Sequence, residues 1–97
     1  MPTRAALASF FADYDKLTAE QKRQFRTALA LFIGWLAVGG EPPRTLRVKK
    51  MAGHKDIWEM SWAGDGRATF EYGPEQLPGQ KHIVWRRIGT HDIFDRP

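Results

Sequence analysis

The sequence predicts an α+β domain, a helical hairpin over residues 1–40 packed on a four-stranded antiparallel sheet over 44–97. Three observations carry this. The apolar spacing changes from helical to alternating at Pro42-Pro43. A capping signal at Thr18 and the pair Gly39-Gly40 bracket one long helix. Asp65-Gly66 stands between two alternating runs, a strong tight-hairpin signal.

Each element follows from these. Leu7, Phe10, Phe11 and Tyr14 recur at i, i+3, i+4 and i+7, the stripe of an amphipathic helix. Thr18-Ala19-Glu20-Gln21 fits a capping box, after which Phe25, Leu29, Phe32, Ile33 and Leu36 form one apolar face. The short link predicts a helical hairpin. Past Pro43 the period is two: Leu46 and Val48 alternate with Arg47 and Lys49, Trp58, Met60 and Trp62 with Glu59 and Ser61, and Ala68, Phe70 and Tyr72 with Arg67, Thr69 and Glu71. A loop from Gly73 to Gly79 leads to a fourth strand, His82–Ile88, which ends at Gly89-Thr90-His91.

Composition narrows the function. The 97 residues make one domain, 42% apolar and able to bury a core unaided. Without cysteine, disulfides, thiolate catalysis and Cys-based zinc sites are excluded. His54, His82 and His91 lack metal-ligand spacing, no glycine-rich phosphate loop is present, and neither a metal nor a cofactor is expected. No signal-like start and no membrane-length apolar run is seen, so a cytoplasmic protein without membrane association is expected. The net charge is +4, and Arg44, Arg47, Lys49, Lys50 and Lys55 fall together with no acidic residue among them. Such a cluster attracts phosphates.

If the apolar positions of all strands face the helices, Arg47, Lys49, Glu59, Ser61 and Arg67 share the opposite, open face. His91, at the end of the last strand, can swing over that face and exchange protons near neutrality.

The run Leu46-Arg47-Val48-Lys49-Lys50-Met51-Ala52-Gly53, then Ile57-Trp58-Glu59-Met60, then Arg67-Ala68-Thr69-Phe70-Glu71-Tyr72, then Ile88-Gly89-Thr90-His91-Asp92-Ile93-Phe94, resembles the RelE/ParE superfamily of type II toxins, and its YafQ-like branch in the closing Gly-Thr-His. With the helical hairpin, the resemblance covers most of the chain. It implies two helices on a curved antiparallel sheet, metal-independent cleavage of mRNA on the ribosome by attack of the 2′-hydroxyl, and a cognate antitoxin as partner in a hetero-oligomer. It also implies roles. His91 acts on the leaving oxygen, Arg67 clamps phosphate, and Lys49 falls at a functional position of its strand. Beside these carried-over roles, Arg47, Lys50, His54, Lys55 and Arg87 are expected to contact RNA. Where the RelE pattern carries two lysines, this chain has Glu59 and Ser61, so Glu59 serves either as the base or as a charge partner of Arg67. The family's first strand is expected to be absent, because Met1–Ala6 is short and unpatterned. Two other readings stand beside the nuclease: a ParE-like inhibitor of DNA gyrase, and a nucleic-acid-binding domain without chemistry.

Overall fold

The computed structural model describes residues 2–97. Its longest helix begins as its cap dictates. The Thr18 hydroxyl accepts the Gln21 amide at 3.1 Å, and the Gln21 side chain accepts the Thr18 amide at 2.8 Å. The helix, α2, then runs Ala19–Val38 and stops at Gly39, which takes the positive φ that a side chain would resist. Ahead of it lies α1, Ala8–Asp15. Phe10 of α1 and Phe25 of α2 both reach the indole of Trp85, each with ring centres 5.7 Å away.

The sheet has five strands in the order β1-β5-β4-β3-β2: β1 Thr3–Ala6, β2 Lys49–Lys50, β3 Trp58–Ser61, β4 Gly66–Gly73 and β5 His82–Thr90. The expectation of four strands with the first one missing is corrected. Thr3–Ala6 pairs in parallel with His82–Trp85 at the edge, and the Thr3 hydroxyl meets His82 Nδ1 at 2.8 Å. Thr-Arg-Ala-Ala has no alternation because this strand contributes few side chains to the core. It forms because β5 offers a free ladder edge.

Where β1 stops, α1 takes over the β5 edge. The Ser9 hydroxyl donates to the Arg86 carbonyl at 2.7 Å, and Asp13 accepts from the Ile88 amide at 3.2 Å and from Arg87 Nε at 2.5 Å. Asp13→Ala would orphan the amide of a residue that is 1% exposed and strip Arg87 of its carboxylate. We expect a loss of ~2–3 kcal/mol, read as a lower urea midpoint at constant slope; an unchanged midpoint would remove this edge contact from the stability account.

The alternation of β3 and β4 is as the sequence predicts. Met60, Ala68 and Phe70 are fully buried under α2, and Trp62 joins them. Gly66 is required by close approach: a Cβ there would lie 2.5 Å from the Trp62 ring. The Leu46–Lys49 strand is corrected. Arg44–Leu46 is a 3₁₀ turn, Arg47 is left-handed at φ 47°, and only Lys49–Lys50 pairs. Arg47 and Lys49 therefore do not share a pleated face.

The second face of the sheet is also less open than the alternation implies. Glu59, Ser61 and Thr69 are all buried there. A 3₁₀ turn, His91–Asp95, folds back against β4 and β5, with Ile93 over Gly89. Arg86 and Arg87 hold this tail through the Pro97 and Arg96 carbonyls at 3.2 and 3.0 Å.

Candidate active site on the second sheet face

Strand register arranges the polar side chains in rows. Lys49, Glu59, Thr69 and Arg87 lie opposite one another across four strands, and Ser61, Arg67 and Gly89 form the next row toward the β3–β4 turn. Beyond that row, at the turn itself, stands Asp65, and beyond Gly89 stands His91. Rows two residues apart are separated by ~7 Å along the strands.

His91 and Asp65 are bonded, Nδ1 to Oδ1, at 2.5 Å, with both side chains mostly in solvent. The hydrogen bond and charge of Asp65 raise the imidazole pKa above its ordinary 6.5, and the same bond lowers that of Asp65. With Nδ1 engaged, Nε2 is the nitrogen left to face a ligand, and the raised pKa widens the pH range over which both ring nitrogens carry protons. Asp65 was not among the residues that the sequence singled out. Asp65-Gly66 signals a turn, and only the return of the chain 26 residues later brings an imidazole to it.

Arg67 lies in the adjacent row. Its Nη1 donates to the carbonyls of Ala63, Gly64 and Gly66 at 3.3, 3.2 and 2.9 Å, so it braces the turn that carries Asp65. No carboxylate lies within ion-pair distance of it among the described residues. Glu59 is instead paired with Lys49 at 3.8 Å. It is 8% exposed, against a lysine side chain 65% exposed.

The remaining candidates separate. Lys50 and Lys55 are exposed on β2 and the loop after it, and His54 sits in that loop, half-buried. Arg47 lies in the cleft between α2 and the β3–β4 turn. Arg87 departs most from the RNA-binding reading. Both Nε and Nη2 are bonded to Asp13, at 2.5 and 3.1 Å, which raises its pKa and leaves it a structural tie. Among the described residues no group of three or more His, Cys, Asp and Glu could hold a metal, and no helix is long and apolar enough to cross a membrane.

No protein-family model matches the sequence, and no curated protein matches it. Solved structures do match its fold. The E. coli DinJ-YafQ toxin-antitoxin complex has a chain 15% identical, at a TM-score of 0.64 over 94% of this chain and 93% of that one. The YoeB/ParE toxin from Agrobacterium tumefaciens is 10% identical, at 0.66 over 92% and 98%. The RelB-RelE antitoxin-toxin complex from Methanococcus jannaschii has a chain 16% identical, at 0.61 over 96% and 99%. The architecture, a helical hairpin on a five-stranded sheet, is thus shared with these solved structures. More specifically, the chain has the RelE/ParE toxin fold, as the resemblance of its motifs implied.

Proposed function

We propose that the protein is the toxin of a type II toxin-antitoxin system, acting in the cytoplasm as a metal-independent, ribosome-dependent mRNA endoribonuclease. The observation that carries the reading is the His91–Asp65 pair at the rim of the sheet face beside Arg67, on a fold shared over nearly its whole length with solved toxins.

The rows support an in-line reaction. A phosphate seated over the Ser61–Arg67 row is flanked by the Glu59 row about 7 Å away along the strands on one side and by the Asp65–His91 pair at the turn on the other. The 2′-hydroxyl attacks its own phosphorus, its proton passes to the Glu59 carboxylate, and the P–O5′ bond breaks as His91 protonates the leaving oxygen. Arg67 stabilises the charge that develops on the non-bridging oxygens. Lys49 stays paired with Glu59, and Lys50, His54 and Lys55 contact the flanking backbone. Glu59→Gln tests the base: a loss of about 10²-fold or more in cleavage supports it, and a loss under about threefold makes Glu59 a charge partner of Lys49.

The partner in this reading is an antitoxin. Phe11 is 60% exposed beside Tyr14 and Leu29, in a groove of about 490 Å³ that Arg4 and Arg26 also line. An exposed aromatic groove beside the open edge of β1 suits an amphipathic, acidic segment of such a partner.

Induced expression should arrest bacterial growth, and primer extension should map cuts in translated mRNA. Growth arrest with no cut, equally strong in His91→Ala, would replace the nuclease by an inhibitor of a protein target such as DNA gyrase. Normal growth at confirmed soluble expression would count against any toxin reading.

A further inference from the structure

The cleft between α2 and the β3–β4 turn adjoins the sheet face on which the rows lie, and the two meet at Ser61 and Arg67. It has a volume of about 470 Å³, within the ~300–1,000 Å³ of small-ligand sites. Its existence follows from the shortness of β2. That strand pairs only Lys49 and Lys50, with Glu59 and Trp58, so among the described residues the outer edge of β3 beyond Glu59 has no strand paired to it. The Trp62 amide bonds across to the Gly66 carbonyl, toward β4. Peptide direction alternates along a strand, so the amide and carbonyl of Ser61 point the other way, into the gap.

Chemistry is sorted within the cleft. Leu31 and the buried Trp62 make an apolar wall, and the Ser61 backbone presents one donor and one acceptor beside it. Arg47 and Arg67 stand at the lining with no carboxylate among the residues that line it. Arg23 also lines it but is already paired with Glu20. Arg47 takes the left-handed backbone that a non-glycine residue avoids, and that conformation ends the 3₁₀ turn beside the cleft.

We propose that this cleft holds the nucleotide of single-stranded RNA next to the scissile bond, its base against the apolar wall and the Ser61 edge, its phosphate on Arg47, with Arg67 between that phosphate and the scissile one. An apolar slot with a donor–acceptor pair suits a splayed base, and guanidiniums suit phosphates. The opening adjoins the reaction centre, because Gly64 lines the cleft and the next residue, Asp65, holds His91. The identity of the polymer rests on the nuclease reading; the cleft and its anion preference do not.

The test uses a 2′-O-methyl tetranucleotide, which cannot undergo transesterification. Binding is followed by the indole N–H signal of Trp62 in ¹⁵N NMR, since that group donates to the Arg67 carbonyl at 3.0 Å. Two variants at exposed positions probe the cleft: Thr27→Trp fills it from α2, and Arg47→Ala removes a cation. Each is expected to weaken binding about tenfold, and Arg47→Ala to reduce the salt slope by about 0.7. Unchanged affinity in both variants overturns the proposal. So does tighter binding of a tetraglutamate peptide than of the tetranucleotide, which would make the cleft a protein-docking site. Wild-type protein that cuts mRNA but leaves the Trp62 signal unmoved overturns the cleft and spares the nuclease. Binding there without any cleavage does the reverse.

Discussion

His91→Ala should lower mRNA cleavage on programmed ribosomes by about 10²-fold or more, the scale of losing a general acid, with an unaltered folded spectrum. The side chain is 65% exposed and its one bonded partner is Asp65, so the core does not depend on it. The pH profile adds a readout that a merely structural role would not move. Asp65 raises the imidazole pKa above 6.5, so the acid form persists to higher pH than that of an unpaired imidazole and activity falls as pH passes that raised value. Asp65→Asn should bring the alkaline limb down toward 6.5. The pair's effect on stability follows the same signs. The part from His91 is fully present below pH 6.5 and is lost as pH rises through the raised value. The part from Asp65 is present above its ordinary 3.8 and is lost as pH falls through the depressed value. An alkaline limb that stays put in Asp65→Asn would take the leaving-group role away from His91.

Phe32→Ala is the largest stability effect expected. Phe32 has no exposed surface, and its ring lies 5.0 Å from Phe70 and 5.2 Å from Trp85, centre to centre. It joins α2 to the two central strands, and removing it leaves a cavity that Met60 and Ile83, themselves fully buried, cannot readily fill. A loss of ~3–5 kcal/mol is expected, against a total of ~5–15 kcal/mol for a domain. At ~4–8 °C per kcal/mol for this size, the melting temperature should fall by roughly 12–40 °C. A fall under about 5 °C would mean that the helix layer is not anchored at this ring. Growth arrest should weaken in the same variant, because β4 and β5 carry Arg67 and lead into His91.

Much of this molecule is legible from local spacing. Thr18 and Gln21 specify a helix start without outside help, since both capping bonds lie within four residues. Trp58, Met60, Ala68 and Phe70 specify two strands and their inward face, because one register buries them and a one-residue slip would expose them all. The cation cluster and the terminal histidine are legible as chemistry, and their order along the chain resembles a toxin family.

Other features were decided by partners distant in sequence. Thr3–Ala6 is a strand because β5, some 79 residues on, has an empty edge. Arg87 is tied rather than free because Asp13, 74 residues earlier, reaches it. Arg47 leaves the pleat, and part of the second face is covered, for reasons of assembly: the prolines and the 3₁₀ turn shorten β2, and the C-terminal tail folds over β4 and β5. Asp65 becomes the partner of His91 only when the β3–β4 turn and the end of β5 meet. Helix caps, turns and strand alternation act over a few residues and are determined by the sequence itself; ladder edges, ion pairs and the His91–Asp65 pair are set by tertiary structure, because their energy comes from groups that only the completed fold brings within hydrogen-bond reach.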